Sequence, residues 1–143
     1  MMRVVVDINV VLDVFQERQP FYSDSASLLG LLATRQLVGV CPAHGLTTIY
    51  YLMARHEDRT AAMLVVDQLL ADFEIVDLEH AHWLQARALG FTDFEDAAVA
   101  QVAVVADASW IITRNAHHFK GSPIPAVTPT DFLRLFFPAL VCL

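Results

Sequence analysis

The sequence has little of what a zinc knuckle or a disulfide framework requires. Its two cysteines, Cys41 and Cys142, are about a hundred residues apart and form no Cys-x-x-Cys pair. We therefore expect reduced thiols and a cytoplasmic protein. The GxSxG, Walker A and GxGxxG motifs are also missing, which disfavours serine hydrolases, P-loop enzymes and Rossmann dinucleotide-binding proteins.

Long apolar runs are missing as well. The run at residues 4–6 is far too short for a signal peptide, and no small-residue cleavage site follows it. The run at residues 136–143 contains Pro138 and is shorter than the ~20 residues that cross a bilayer. We expect no export and no membrane association. We also expect the apolar tail, residues 135–143, to dock on the domain or on a partner chain.

Positive charge is scarce. The chain has 9 basic and 16 acidic residues, a net charge of −7, and only 17% charged residues. This balance argues against a uniformly basic nucleic-acid surface or a polybasic membrane surface, but it leaves room for a locally basic groove. By contrast, 56% of the 143 residues are hydrophobic. The length fits one domain, residues 1–143, with ample apolar material for a core.

Short hydrophobic runs alternate with segments of helical spacing along the chain. The predicted strands span residues 3–6, 37–41, 73–78, 110–113 and 124–127. The predicted helices span residues 10–15, 46–55, 59–73, 79–89, 94–106 and 132–137, with one more that is capped at residues 23–25 and ends near residue 36. Strands that are nearly continuously hydrophobic and separated by helices are typical of a parallel sheet covered on both faces. The predicted fold class is therefore α/β.

Polar side chains follow two of the predicted strands and begin one of the helices. Asp7 and Asn9 follow the first strand, and the Thr-Arg-Asn segment at residues 113–115 follows the fourth. Asp93 and Asp96 lie at the start of a helix. Ligands of open α/β sheets collect at the carboxyl ends of the strands, so these groups could converge there. Clustered carboxylates need a neutralising cation, and an all-oxygen site suits Mg²⁺ or Mn²⁺ and phosphodiester hydrolysis.

Each of these features also has an explanation that needs no metal. Thr92 and Glu95 match a capping box, and acids in the first turn of a helix favour its dipole. Asp7 could form a local turn with Asn9 through side-chain hydrogen bonds. The six histidines show no HExxH-type spacing and predict no zinc site. It is the joint occurrence of the acids near strand ends that favours the metal site.

Three short segments occur in a specific order along the chain. They are Val-Val-Val-Asp-Ile-Asn-Val-Val-Leu-Asp at residues 4–13, Asp-Phe-Glu-Asp-Ala at residues 93–97, and Ile-Ile-Thr-Arg-Asn at residues 111–115, followed by His118-Phe119. Their order and spacing resemble the PIN domain family, and within it the VapC-type toxins of bacterial toxin-antitoxin pairs. The resemblance extends over nearly the whole chain. It implies an α/β/α sandwich with a central parallel sheet, and a Mg²⁺- or Mn²⁺-dependent endoribonuclease that is commonly a homodimer neutralised by an antitoxin.

The resemblance also implies roles for individual residues. Asp7 matches the first acid of the family, Asp96 the acid of its Asp-Ala motif, and Asp93 an extra acid just upstream. These three residues would hold the metal. Asn115 falls where many members carry a further acid, and Thr113 matches the hydroxyl of the same motif. We expect all five residues to take part in catalysis.

One acid that the family usually carries is missing. Members place it in the helix after the second strand, where this chain has Thr48 within residues 45–51. A hydroxyl can hold a bound water but brings no charge, so the metal affinity should be lower. Two hypotheses follow: a metal-dependent endoribonuclease that is the toxin of a toxin-antitoxin pair, or a PIN-fold module with a degenerate site that binds RNA or a protein partner.

Several cations and aromatics could add to an RNA surface. Arg114, Arg55 and Arg59 could contact phosphates, or they could be ordinary surface charges and ion pairs. The Tyr-Tyr pair at residues 50–51 could stack on bases, but on an apolar helix it is more typical of a core or a dimer interface. The sequence leaves these alternatives open.

Overall fold

A five-stranded parallel sheet forms the centre of the computed structural model, which describes residues 1–141. The strands are β1 (Arg3–Val6), β2 (Val38–Pro42), β3 (Phe73–Val76), β4 (Trp110–Ile112) and β5 (Ala126–Val127). Their order across the sheet is β3-β2-β1-β4-β5, and every neighbouring pair is parallel. Val4 of β1 lies opposite Gly39 on one side and Trp110 on the other. The predictions for Cys142 and for the end of the apolar tail lie outside the described residues.

Helices connect the strands and cover both faces of the sheet. They are α1 (Ile8–Phe15), α2 (Tyr22–Ala33), α3 (Ala43–His56), α4 (Arg59–Asp72), α5 (His80–Ala88), α6 (Phe94–Val105) and α7 (Pro129–Phe136), with short 3-10 turns at Ala116–Phe119 and Pro138–Leu140. Within residues 1–141, no helix is both long enough and apolar enough to cross a membrane.

The central strand β1 is buried on both faces. Val4 and Val6 belong to an apolar cluster that α1 to α4 and α7 complete, whereas Val5 belongs to a second cluster built largely on α6. Successive side chains of a strand point to opposite faces, so a strand between two helical layers must be apolar throughout. This arrangement confirms the α/β class and the three-layer α/β/α sandwich.

The structure differs from the sequence prediction mainly at element ends. Helix α3 begins at Ala43, directly after β2, and not at residue 46, because periodicity detects only the turns that bury an apolar face. Helix α2 begins at Tyr22, and Phe21 occupies the N-cap position without a side-chain cap bond, so the cap predicted at residues 23–25 is wrong. Asp24 instead lies in the first turn, where its charge favours the helix dipole.

Part of the apolar tail packs on the domain. The ring of Phe136 lies 5.0 Å from that of Phe132 and 6.1 Å from that of Trp110 between centroids. Leu135 and Leu140, by contrast, are 60% and 42% exposed. The tail is therefore anchored by its aromatic side chains and leaves leucines on the surface.

Candidate active site

Asp7 lies at the carboxyl end of β1 and caps α1. Its side chain accepts a hydrogen bond from the backbone N–H of Ile8 at 2.8 Å, and its backbone N–H donates to the carbonyl of Ile112 at 2.9 Å. An N-cap aspartate satisfies an N–H group at the helix start that has no partner within the helix. The side chain is only 4% exposed. The change from strand to helix thus fixes this carboxylate at the edge of the sheet.

Thr113 lies beside Asp7 although the two are far apart in sequence. The Thr113 hydroxyl is buried and donates to Asp7 Oδ2 at 2.8 Å. Asn9 Nδ2 donates weakly to the same oxygen at 3.4 Å, and the backbone N–H of Asn115 donates to Thr113 Oγ at 3.2 Å. The predicted residues Asp7 and Thr113 are therefore in contact, and Asn115 joins them through its backbone.

Asp93 is the N-cap of α6. Its Oδ1 accepts hydrogen bonds from the backbone N–H groups of Glu95 at 2.8 Å and Asp96 at 3.4 Å. The capping box predicted from Thr92 and Glu95 is wrong, because the helix begins at Phe94 and Asp93 occupies the cap position. Asp93 therefore has a structural role that does not depend on a metal.

The acids of β1 and α6 influence one another electrostatically. Burial raises the pKa of Asp96 to about 6, and the negative charges of Asp93 and Asp7 contribute to the rise. Burial also raises the pKa of Asp7, against the hydrogen bonds from Thr113 and Ile8, and the charge of Asp93 adds to it. Carboxylates that raise one another's pKa lie close enough to repel when both are ionised. The charge of Arg114 on Asp7 and that of His118 on Asp96 act in the opposite direction and have the smaller effect. The three predicted acids therefore share one region of negative potential.

Glu95 is a further acid of this region, although its sequence position predicts only a capping partner. Burial raises the pKa of Glu95, and the charges of Asp7, Asp93 and Asp96 raise it further. Acids at three of four consecutive positions, 93, 95 and 96, were the available signal. Helical geometry places positions 95 and 96 on different sides of the helix, which made Glu95 the weaker candidate.

These acids suit a divalent cation in their chemistry. Carboxylate oxygens are the donors that Mg²⁺ and Mn²⁺ prefer, and a cation would supply the charge that the acids lack. In the part of the chain that the structure describes, no group of three or more His, Cys, Asp or Glu residues is arranged so that it could hold a metal ion. The donor type and the charge therefore fit, and the assignment of Asp7, Asp93 and Asp96 as ligands stays a prediction.

A cavity opens beside Asp93 and Asp96. It has a volume of about 490 Å³ and is lined by these two acids together with Thr92, His117 and His118. His118 Nδ1 lies 3.8 Å from Asp96 Oδ2, and the positive charge of a protonated imidazole would lower the pKa of that acid. The spacing of the histidines along the sequence predicts no zinc site and gives no sign of the position of His117 and His118 beside the acids.

Arg114, whose side chain is 29% exposed, forms an ion pair with the buried Asp13 of α1. Its Nη2 and Nε donate to Asp13 Oδ1 at 2.8 Å and Oδ2 at 3.0 Å. Asp13 is only 1% exposed, and Arg18 lies 3.7 Å from it. Of the two roles considered for Arg114, the structure shows ion pairing. No local sequence pattern predicts this role for Asp13, since its partner lies 101 residues away.

The comparisons with known proteins agree with this architecture. Residues 3–117 match the PIN domain family. The chain belongs to the PIN domain family. Ribonuclease VapC1 of Aquifex aeolicus is 24% identical over 135 residues, which cover 91% of this PIN domain chain and 92% of the relative.

Solved structures share the PIN fold at low sequence identity. VapBC2 from Rickettsia felis, bound to a DNA fragment from its promoter, has a TM-score of 0.67 and 18% identity, and the match covers 89% of this chain and 98% of that one. A toxin-antitoxin complex from Klebsiella pneumoniae has a TM-score of 0.66 and 17% identity, covering 88% and 97%. At such identities the likeness concerns the fold.

Thr48 occupies α3 of this PIN domain, where the family resemblance places a second acid. Its hydroxyl donates to the carbonyl of His44 at 3.3 Å within the helix. Nearby, Tyr50 packs partly buried against the core, while Tyr51 is 57% exposed with Arg55 5.6 Å from its ring centroid. The hydroxyl of Thr48 is thus engaged with the backbone and brings no charge to the acids.

Proposed function

We propose that this PIN domain is a metal-dependent endoribonuclease, the toxin of a toxin-antitoxin pair. The observation that carries the proposal is the shared negative potential of Asp7, Asp93 and Asp96 at the carboxyl edge of the sheet, where burial and their mutual repulsion raise the pKa of Asp96 to about 6. The match to the PIN domain family and the similarity to Ribonuclease VapC1 support it.

Asp7, Asp93 and Asp96 would hold Mg²⁺ or Mn²⁺. When bound, a divalent cation neutralises the acids, polarises the phosphodiester and favours deprotonation of water. The chain itself supplies orientation. Thr113 fixes the Asp7 carboxylate through its hydroxyl, the backbone of Asn115 holds that hydroxyl in place, and the Asn115 amide would orient water or substrate.

Cleavage of a structured RNA in the presence of Mn²⁺ tests the proposal. We expect Asp7→Asn to lose at least about 100-fold in rate, because the substitution removes the most buried of the three acids. Asp67→Asn is the matched control, since Asp67 lies exposed on α4, and it should cleave like the wild type. Equal cleavage by the wild type and Asp7→Asn would assign the activity to a contaminant.

A second candidate function rests on Thr48. Because its hydroxyl bonds the His44 carbonyl and carries no charge, a PIN-fold module that binds RNA or protein without strong metal affinity is the alternative. Calorimetric titration with Mn²⁺ separates the two, since binding only at millimolar concentration or weaker favours the module. Thr48→Glu should then raise the affinity, and no change would show that Thr48 does not occupy the place of the missing acid.

We further propose a homodimer and an antitoxin partner. The similar structures include toxin-antitoxin complexes, and this chain exposes large apolar side chains, with Leu64 at 65% and Leu84 at 61%. Light scattering should report twice the chain mass. Leu135→Ser and Leu140→Ser leave the core intact, so a halved mass in these variants would place the tail in the dimer interface, and an unchanged mass would assign it to another contact.

A further inference from the structure

A second cavity, which we call the Phe21 cavity, contains Phe21 in its lining. It has a volume of about 190 Å³ and is lined by the side chains of Asp13, Phe21, Ser25, Arg114, Thr128 and Thr130, with Pro129. We propose that this Phe21 cavity binds a nucleobase of the substrate next to the scissile phosphodiester. The inference rests on the proposed RNA substrate. It adds a base-binding site, the Phe21 cavity, to the acidic site that would cleave the RNA.

Two residues that line the Phe21 cavity, Arg114 and Thr128, are next in sequence to residues that contact Asp7 or Thr113. Arg114 follows Thr113, whose hydroxyl bonds Asp7, and the backbone N–H of Arg114 donates to Asn9 Oδ1 at 3.3 Å. Thr128 follows β5, whose last carbonyl, that of Val127, accepts from the backbone N–H of Thr113 at 2.9 Å. Arg114 and Thr128 thus place this part of the Phe21 cavity at the same carboxyl edge of the sheet as Asp7.

The aromatic wall of the cavity is held in position. Phe21 is 37% exposed, and the guanidinium carbon of Arg114 lies 4.4 Å from its ring centroid. Asp13 holds that guanidinium through two hydrogen bonds. A ring that is fixed before binding costs little entropy to use, and aromatic side chains are the usual platforms for unstacked bases of single-stranded RNA.

The charge of the cavity favours a base over a phosphate. Arg114 lines the cavity and is paired with Asp13 through two hydrogen bonds, whereas Arg18, which lies 3.7 Å from the same carboxylate, is not part of the lining. The guanidinium charge is therefore compensated, whereas a phosphate site would present unpaired cations. A planar, neutral group that stacks on Phe21 suits this balance.

Hydroxyl groups offer contacts to the edge of a base. Thr130 donates its hydroxyl hydrogen to Asp24, so its oxygen can still accept. Thr128 Oγ accepts from the backbone N–H of Asp131 at 3.2 Å, so its hydroxyl can still donate. One hydroxyl that can donate and one that can accept, both beside the Phe21 ring, match a nucleobase, because every base carries both hydrogen-bond donors and acceptors.

Substrates that lack a single base test the inference. A single-stranded RNA that the protein cleaves is compared with the same RNA carrying one abasic nucleotide, placed in turn at each position around the cleavage site. In the wild type we expect one position where the base loss lowers kcat/KM by about 5- to 100-fold, mainly through KM, since stacking of one base has that worth.

Variants of Phe21 then connect this position to the cavity. Phe21→Leu should cleave intact and abasic RNA with equal kcat/KM, while Phe21→Tyr, which keeps the ring, should discriminate as the wild type does. Tyr51→Leu is the matched control, because Tyr51 is also exposed and also lies against an arginine, and it should keep the discrimination. Full discrimination by Phe21→Leu, or its loss in Tyr51→Leu alone, would overturn the proposal.

A binding measurement separates this inference from the nuclease activity. Fluorescence anisotropy of labelled intact and abasic RNA, recorded in EDTA, needs no cleavage. If the wild type binds intact RNA more tightly than abasic RNA and Phe21→Leu does not, the proposal that the Phe21 cavity binds a base is supported even where no cleavage occurs. If the wild type cleaves RNA but neither assay shows a Phe21-dependent preference for the intact base, the proposal that the Phe21 cavity binds a base is wrong. The proposed nuclease function is then still supported.

Discussion

Replacing Arg114 by methionine should destabilise the protein more at neutral pH than at acidic pH. In the wild type, Asp13 is 1% exposed and receives two hydrogen bonds from the Arg114 guanidinium, at 2.8 and 3.0 Å. Methionine keeps an unbranched apolar side chain near Phe21 but removes both bonds and the charge. The variant therefore isolates the cost of a buried carboxylate that has lost its main partner.

The expected cost is about 3 kcal/mol near neutral pH. Removal of one partner from a buried ion pair typically costs about 3–5 kcal/mol, because the remaining charge is left without compensation. Arg18, which lies 3.7 Å from Asp13 and is 41% exposed, can take over part of the pairing, which favours the lower end. For a chain of this size the melting temperature should fall by about 6–12 °C.

The pH dependence follows from the pKa of Asp13. Burial raises this pKa above its ordinary value, against the charge and hydrogen bonds of Arg114. Between the ordinary pKa of 3.8 and the raised pKa of the folded protein, Asp13 keeps a proton that it has lost in the unfolded chain. The free energy of unfolding therefore decreases as the pH rises through this range. Without Arg114 the pKa rises further, and the decrease should be steeper.

Urea denaturation followed by circular dichroism, at about pH 5 and about pH 8, measures this difference. The double variant Asp13→Asn/Arg114→Met carries neither charge and should recover most of the lost stability at the higher pH. An equal cost at both pH values, with no recovery in the double variant, would refute the electrostatic reasoning. Arg114 would then act through packing on Phe21.

Two further predictions concern packing and cation binding. Gly39→Ala should destabilise the protein by about 1–3 kcal/mol in thermal denaturation, because the added Cβ would lie 2.6 Å from Leu32 Cδ1 and 3.0 Å from Phe73 Cδ2. A variant as stable as the wild type would show that these side chains can move. Mn²⁺ should raise the melting temperature of the wild type by relieving repulsion among the acids, and Asp7→Asn should show a smaller rise; equal rises would place the cation elsewhere.

The sequence predicts the layers of this fold because burial requires apolar residues at a spacing that is visible in each short segment. The run at Arg3–Val6 is apolar without alternation, as a strand covered on both faces must be. Element ends carry a weaker trace. Helix α3 begins at Ala43, where the first turn contains a histidine and a glycine and shows no amphipathic spacing. The predicted second strand ends one residue before β2 does, at residue 41 instead of Pro42, and the first turn of α3 was not predicted.

The candidate site was predictable to the extent that its residues follow strand ends. Asp7 and Thr113 directly follow the neighbouring strands β1 and β4, so their contact follows from the topology. The pairing of Asp13 with Arg114 follows from no local pattern. A charged residue inside the apolar helix α1 was the only signal, and identifying its partner requires the three-dimensional arrangement.

The contrast between Asp13 and Asp7 supports a functional role for the acids. Both carboxylates are nearly fully buried and lie within one stretch of the chain. Two hydrogen bonds from Arg114 hold Asp13, whereas the charge of Asp93 raises the pKa of Asp7 by more than the charge of Arg114 lowers it. A chain that can place an arginine against one buried acid gains nothing in stability by leaving the next one among like charges. Such local conflicts with stability are typical of functional sites, and a cation that binds there would remove the conflict.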